Sequence, residues 1–256
     1  MRITALGTAA AYPGPGNACT GWLVQEHDTN LLLDCGTGIL ANLQMVIPLQ
    51  QLTAVVISHM HADHFIDLIP LRYAFKYGPA AAAAAQRPRI FLPPGGLVVL
   101  EGMVAPLESD DEAGFFRSVF DLEEYDPSAA TQVDELAVTF APGAHYIPCW
   151  AISVQGSKRV VYTADTGPSD AVTQLARRAD LLIAEATYMS VAEERNHNRG
   201  HLTPEEVGDL ASLANPSKVL ITHLWPHRDP QLMLSKAKAV FAGDVALAVQ
   251  GETYEL

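Results

Sequence analysis

The sequence repeats one pattern that strongly constrains its fold, a short apolar run that ends in an ionisable residue. The runs are short and several are rich in branched side chains, which is typical of buried strands. The pattern occurs five times, and the ionisable residues that end the runs are Asp34, His59, Asp165, Glu185 and His223. Because strand ends can bring distant residues to one edge of a sheet, the pattern predicts a functional site built on a sheet.

One of these runs, residues 54–57, leads into a dense cluster of metal-binding side-chain types. Three imidazoles and one carboxylate fall within the six residues 59–64, as His59, His61, Asp63 and His64. In an extended chain, the first three project to the same side, and His64 begins the next element. Imidazole and carboxylate together suit Zn²⁺, and Mn²⁺ or Fe is also compatible. The cluster predicts a metal site rather than a solvated loop.

The flanking segments add three expectations about structure. We expect Asp63 to be the N-cap of a helix that runs through residues 66–71. Asp34 is either the N-cap of the helix after it or a carboxylate that orients a metal-binding histidine. The loop from Gly7 to Gly21, rich in small residues, is either a plain surface connection or a rim of the active site.

Composition limits the class of protein. The 256 residues, without repeats or a low-complexity linker, are interpreted as one domain, 1–256. Three widely spaced cysteines form no disulfide framework, and the first residues lack the apolar region of a signal peptide, so we expect a cytoplasmic protein without membrane contact. A net charge of −13 argues against a nucleic-acid partner, for which a basic surface is expected.

Two segments differ from the rest of the chain. Six consecutive alanines, Ala80–Ala85, are interpreted as an insertion that forms a loop or short helix. Residues 195–201 form a locally basic loop that ends in His201, and Thr203 with Pro204 is expected to cap the helix that follows. We expect Arg195 and Arg199 of this loop to bind an anionic substrate, although an ordinary exposed loop is the alternative.

With His59-x-His61-x-Asp63-His64, His145, Asp165 and His223 in order, almost the whole sequence resembles the metallo-β-lactamase superfamily. The resemblance implies an αββα sandwich, an α/β fold of two mixed sheets with helices on the outer faces and metals at one edge. Residues 185–187 and 200–203 are similar to ribonuclease Z and its phosphodiesterase relatives. Residues 220–226 and 251–256 are similar to small bacterial cyclic-nucleotide phosphodiesterases.

The resemblance also implies roles for individual residues. It implies two Zn²⁺ per chain, one held by His59, His61 and His145, the other by Asp63, His64 and His223, with Asp165 as the bridge. Two cations that share a water lower its pKa and stabilise both sides of a phosphoryl displacement, so the implied nucleophile is a bridging hydroxide. We assign catalysis to Asp63, His201 and Glu185: His201 as the proton donor to the leaving oxygen, and Glu185 as the carboxylate that orients it.

These roles favour a hydrolase that acts on a small phosphodiester such as a cyclic nucleotide. One alternative is a tRNA 3′-processing endonuclease like ribonuclease Z. That family carries a long arm between the positions of His145 and Asp165, where this chain has only nineteen residues, 146–164. A second alternative is a lactone or carboxyl-ester hydrolase of the same fold. The apolar stretches 39–47 and 65–77 are richer in apolar residues than one helix face needs, and we expect them to form a homodimer interface.

Overall fold

The computed structural model describes residues 1–79, 87–106, 114–194 and 199–256, which form two seven-stranded sheets packed face to face. The first sheet contains β1 (Arg2–Gly7), β2 (Gly21–Glu26), β3 (Thr29–Leu33), β4 (Ala54–Val56), β5 (Arg89–Leu92), β6 (Asp121–Glu124) and β14 (Thr253–Glu255). The second contains β7 (Thr131–Val133), β8 (Leu136–Pro142), β9 (Trp150–Gln155), β10 (Arg159–Tyr162), β11 (Leu181–Glu185), β12 (Val219–Thr222) and β13 (Val245–Leu247). The strand orders are 14-1-2-3-4-5-6 and 13-12-11-10-9-8-7.

Helices cover the outer face of each sheet. The first sheet is covered by α1 (Ile39–Val46), α2 (Ala62–Phe65), α3 (Leu68–Tyr77) and α4 (Gly96–Val104), and the second by α5 (Asp170–Ala176), α6 (Pro204–Ala214) and α7 (Pro230–Val240). The predicted αββα sandwich is therefore confirmed. No described helix combines the length and the apolar character needed to cross a membrane.

Both faces of the central strands are buried, which explains why the sequences of these strands are unbroken apolar runs. In β3, Leu31 and Leu33 pack between the two sheets, whereas Leu32 packs against the helices. Side chains alternate between the two faces of a strand, so a strand covered on both faces needs apolar residues at successive positions. The inter-sheet core and the two helix–sheet cores together fix which strand ends lie at the same edge.

Parallel strands place the predicted site. Strands β3, β4 and β5 pair in parallel in the first sheet, and β10, β11 and β12 in the second. The two sheets are joined near this edge by a bridge between His59 and Cys149 and by a hydrogen bond from the Trp150 amide to the Ser58 carbonyl, 3.2 Å long. Carboxyl ends of parallel strands meet at one edge, so the residues after five apolar strands converge.

The helix starts agree with the sequence in one case and differ in another. At α6, Thr203 accepts a hydrogen bond from the Glu206 amide, Glu206 accepts one from the Thr203 amide, and Pro204 is the first helical residue, as predicted. The prediction that Asp63 is an N-cap is wrong. His61 is the N-cap of the short helix α2, Asp63 lies in its first turn, and α3 begins separately at Leu68. The Asp63 carboxylate instead accepts a hydrogen bond from the Ala11 amide, 2.8 Å away.

One expectation concerns a segment that the structure does not describe. The alanine run 80–85, interpreted from the sequence as an insertion, lies outside the described residues.

The homodimer stays a prediction, and the structure sharpens where to test it. Of the apolar residues in the two stretches, Leu43, Phe65 and Leu68 are buried in the core, whereas Met45 is 76% exposed and Tyr77 70% exposed. We expect sedimentation of the purified protein at micromolar concentration to show a dimer. A Met45→Glu, Tyr77→Glu double variant should sediment as a monomer, because a charge in an apolar interface would lose its hydration. A wild-type protein that sediments only as a monomer would contradict the prediction.

Candidate metal centre

Sharp turns at the strand ends direct the candidate ligands into one site. Asp34 follows β3 with φ of 58°, Ala164 precedes Asp165 after β10 with φ of 49°, and His223 follows β12 with φ of 57°. These values lie in the left-handed region, which non-glycine residues seldom adopt and which occurs often at functional sites. Each chain therefore turns abruptly at the point where its ionisable side chain enters the site.

The first group of candidate ligands contains His59, His61, His145 and Asp165. Nδ1 of His61 lies 3.1 Å from Nε2 of His59 and 3.0 Å from Nε2 of His145. All four residues offer a ligand atom within 4.8 Å of the others. Hydrogen bonds between the three rings would need protons in between, whereas a cation can accept all three nitrogen lone pairs at once.

The second group contains Asp63, His64 and His223. Nε2 of His223 lies 3.3 Å from Nε2 of His64 and 3.4 Å from Oδ2 of Asp63. These three residues also offer ligand atoms within 4.8 Å of one another. His64 and His223 are almost fully buried, so their facing nitrogens are shielded from water.

Asp165 lies between the two groups and directs one oxygen to each. Its Oδ1 is 3.4 Å from Nε2 of His64 and 3.4 Å from Nδ1 of His223. Its Oδ2 is 3.7 Å from Nε2 of His59 and 3.8 Å from Nε2 of His145. Oδ1 is buried without a hydrogen-bond partner among the described residues. A buried carboxylate oxygen in this state suits a metal ligand, so the donor set fits metal ions.

Four of the histidines are held by a contact at Nδ1, which turns Nε2 toward the site. Nδ1 of His64 is 2.7 Å from Asp34, Nδ1 of His145 is 2.7 Å from the Gly200 carbonyl, Nδ1 of His223 is 2.9 Å from the Thr187 hydroxyl, and Nδ1 of His59 is 3.0 Å from the Ser58 hydroxyl. A partner at one nitrogen fixes the tautomer and leaves the other nitrogen as a ligand. Such supporting contacts are typical of metal-binding histidines.

Asp34 is a supporting residue rather than a helix cap. Its carboxylate accepts hydrogen bonds from the Ser58 amide and hydroxyl, the Tyr162 hydroxyl and Nδ1 of His64, at 2.7 to 3.0 Å. The N-cap of α1 is Gly38, whose amide donates to Asp67 from the start of α3. Of the two alternatives for Asp34, the structure therefore selects the carboxylate that orients a histidine.

Burial and mutual charge favour the metal-binding protonation states of His59, His61 and Asp165, whereas at His64 the neighbouring carboxylates outweigh burial and raise the pKa. Burial, together with the neighbouring imidazoles, lowers the pKa of His59 and of His61. Burial alone would raise the pKa of the Asp165 carboxyl, but His223 and His64 outweigh it and hold that pKa well below its usual range. Neutral imidazoles and ionised carboxylates are the protonation states that bind metals.

His201 and Glu185 form a separate pair beside Asp165. Nδ1 of His201 lies 2.8 Å from Oε1 of the fully buried Glu185. Burial opposes protonation of His201, but the Glu185 carboxylate outweighs it and raises the pKa of His201 to about 9. The carboxylate itself is fixed by donors from the Thr166 amide and from the amide and hydroxyl of Thr187, at 2.7 to 2.9 Å. The pair can hold a proton close to the candidate metal ligands.

The predicted basic loop is described only at its end. Arg195 lies outside the described residues, whereas Arg199 donates two hydrogen bonds to the Glu206 carboxylate, at 2.8 and 2.6 Å. Arg199 is therefore occupied by a carboxylate of α6. The role of both arginines in binding substrate stays a prediction.

Sequence reasoning missed several residues that support the site. Thr187 links Glu185 to His223 through one hydroxyl, and Tyr162 donates to Asp34. Thr187 stands two residues after a strand-end carboxylate, which is a local signal that could have marked it. Tyr162 and Ala11 carried no such signal, because their contacts with Asp34 and Asp63 join distant parts of the chain.

Comparison with known proteins agrees with this geometry. Residues 29–224 match a family model described as a Beta-lactamase superfamily domain. The "Probable metallo-hydrolase YhfI" of Bacillus subtilis is 32% identical over the full length of both chains, and its crystal structure superposes with a TM-score of 0.87 over 100% of this chain and 99% of that one. A ribonuclease Z of Myxococcus xanthus is 28% identical over 100% of this chain and 98% of its own length.

More distant solved structures share the architecture. The crystal structure of the short form of human tRNase Z, which is 22% identical, superposes with a TM-score of 0.76. The superposition covers 100% of this chain and 99% of that one. At this identity the similarity concerns the fold alone. Together with the family match and the relative at 32% identity, the two clusters of ligands establish that the chain belongs to the metallo-β-lactamase superfamily, as a metal-dependent hydrolase.

Proposed function

We propose that the protein is a phosphodiesterase for a small phosphodiester, such as a cyclic nucleotide, that works with two Zn²⁺ ions. The observation that carries this proposal is the His201–Glu185 pair beside Asp165, with Oδ2 of Asp165 4.0 Å from Nδ1 of His201. An alkoxide is a poor leaving group, and its departure is assisted by a positioned acid. Lactones and activated esters need that assistance less.

Each group of ligands is proposed to hold one ion, with Asp165 shared between them. Such ions would lower the pKa of a water and stabilise charge on the phosphoryl oxygens. The chain's own contribution is to orient the imidazoles through Asp34, Thr187 and the Gly200 carbonyl and to keep the ligands buried. His201 is proposed to donate its Nε2 proton to the leaving oxygen, while Glu185 holds the opposite side of the ring.

A small substrate is favoured over RNA by the segment between His145 and Asp165. That segment forms β9, β10 and a short turn, so it contains no separate arm. The net charge of −13 also disfavours a polyanionic partner. Because two relatives are named ribonuclease Z, RNA is included among the substrates tested.

The proposal is tested by assaying the metal-loaded protein on four substrates. These are 3′,5′-cyclic nucleotides, bis(p-nitrophenyl) phosphate, pre-tRNA and a lactone. We expect the cyclic nucleotide and the activated phosphodiester to be hydrolysed with much higher kcat/KM than the lactone, and pre-tRNA to remain intact. Cleavage of pre-tRNA or preferential hydrolysis of the lactone would overturn the proposal.

A pH profile tests how Glu185 acts through His201. Because the carboxylate raises the pKa of His201 to about 9, the protonated acid should persist at neutral pH and be lost as the pH rises through that pKa. In Glu185→Gln the pKa of His201 falls, so the alkaline loss of kcat should move to lower pH. Glu205→Gln, which changes a carboxylate of α6 paired with Lys236, is the matched control. Identical profiles for all three proteins would contradict the role given to Glu185.

A further inference from the structure

Three aromatic side chains form a continuous group next to the metal centre, which we call the aromatic rim: Tyr12, Trp225 and His227. The ring centroids of Tyr12 and Trp225 are 5.8 Å apart, as are those of Trp225 and His227. The Tyr12 hydroxyl lies 3.3 Å from Nδ1 of His227. Tyr12 is 44% exposed, so the group remains open to a ligand despite these contacts.

The rim is attached to the metal centre at both of its ends. Tyr12 follows Ala11, whose amide donates to the Asp63 carboxylate. Trp225 stands two residues after His223, and the intervening Leu224 pairs with the segment before Tyr12 through a bridge to Ala9. Since adjacent Cα atoms are about 3.8 Å apart, both aromatic rings begin within about two residues of a candidate ligand or its partner.

Aromatic rings can bind part of a substrate without breaking the ion pairs that neighbouring arginines already form. Arg199 and Arg228, described residues of the surrounding loops, already pair with Glu206 and Glu193. These two guanidinium groups therefore have carboxylate partners before any substrate binds. Stacking on an aromatic ring does not depend on charge and suits any planar base.

A cavity beside Trp225 offers space next to the rim. The cavity has a volume of about 470 Å³ and is lined by Trp225 together with Leu224, Arg228 and Gln231. A flat ring that enters this cavity can make apolar contact with the indole.

From these contacts we infer that the aromatic rim is a nucleobase subsite, and that the substrate is a nucleoside cyclic phosphate rather than a simple dialkyl phosphate. The base stacks on Tyr12 and Trp225 while the phosphate lies at the metal centre. This inference rests on the proposed phosphodiesterase function and adds the part of the substrate that is recognised. Tyr12 and Trp225 then set specificity, and neither takes part in proton transfer.

The experiment compares 3′,5′-cyclic AMP with the cyclic phosphate of 1,3-propanediol, which has the same phosphodiester ring size and no base. For Tyr12→Leu and Trp225→Leu, the ratio of kcat/KM for the nucleotide to kcat/KM for the propanediol ester should fall about tenfold or more, the usual effect of losing one stacked base contact. Tyr12→Phe keeps the ring and should keep the ratio. Leu213→Ala, which removes an exposed apolar side chain of α6, is the matched control and should also keep it.

Direct binding separates this inference from the proposed function. Titration of the metal-loaded protein with adenosine 5′-monophosphate should give a Kd that rises about tenfold in Tyr12→Leu and not in Tyr12→Phe. If cyclic AMP is hydrolysed but neither leucine variant alters the substrate ratio, the subsite is wrong and the phosphodiesterase stands. If no phosphodiester is hydrolysed but the nucleotide binds with this dependence on Tyr12, the subsite stands and the phosphodiesterase does not.

Discussion

Replacing Asp165 with alanine is expected to abolish most of the activity and to lower the metal content of the purified protein. The carboxylate is almost fully buried and directs one oxygen to each group of ligands, so alanine at this position removes a donor atom from both groups. The loss of several kcal/mol of electrostatic stabilisation corresponds to about a 10³-fold or larger fall in kcat/KM. The measurements are metal analysis without chelator and hydrolysis of an activated phosphodiester.

The control for this variant is another aspartate of the same half of the molecule. Asp244→Ala removes an exposed carboxylate that lies 3.9 Å from Lys218. Unlike Asp165, this carboxylate belongs to neither group of candidate ligands. It should retain wild-type metal content and rate. Full metal and full activity in Asp165→Ala would exclude it as a shared ligand, and the two groups would then have to act separately.

Replacing His201 with alanine is expected to reduce kcat by about 10²- to 10⁴-fold on a cyclic nucleotide while both groups of ligands keep their metal. His201 is held through Nδ1 by Glu185, so its other nitrogen is available to the leaving oxygen. The reduction should be much smaller on a p-nitrophenyl phosphodiester, because p-nitrophenolate leaves readily without a proton. The measurement is the ratio of wild-type to variant kcat on these two substrates.

Two results would remove His201 from this role. Equal ratios on the two substrates would show that it donates no proton to the leaving group. Loss of metal in His201→Ala would make it a ligand, which the geometry allows, since Asp165, His201 and His223 also offer three ligand atoms within 4.8 Å of one another. His201→Gln, which keeps a polar side chain of similar reach, helps to separate a loss of proton transfer from a loss of packing.

The part of the site that lies on strand ends could be predicted because sequence and geometry coincide there. A buried strand reads as an apolar run, and the residue after it lies at the sheet edge, so His59, Asp165 and His223 could be identified from their positions. Two separate sheets did not follow from this pattern; they were implied by the resemblance to the metallo-β-lactamase superfamily. The order of the ligands along the chain then indicated the family.

Contacts between segments that are distant in the chain could not be predicted from local sequence patterns. Asp63 looked like a helix cap because it precedes an apolar stretch, but its carboxylate is used by the Ala11 amide from 52 positions away. The start of α1 is stabilised by Asp67, 29 positions after Gly38. Arg199 looked like a free cation in an acidic chain, yet Glu206 accepts its hydrogen bonds. Local patterns identify donors and acceptors, and only the fold shows which of them pair.

We expect the left-handed backbone at Asp34, Ala164 and His223 to make the folded protein more dependent on bound metal. Each such residue costs about 1 to 2 kcal/mol in an L-amino acid, a large part of the stability of a typical domain. Ions that bind only the folded chain offset this cost in proportion to the logarithm of their concentration. Under metal starvation the chain should unfold more often and be degraded faster, so its cellular abundance should follow the availability of the metal it binds.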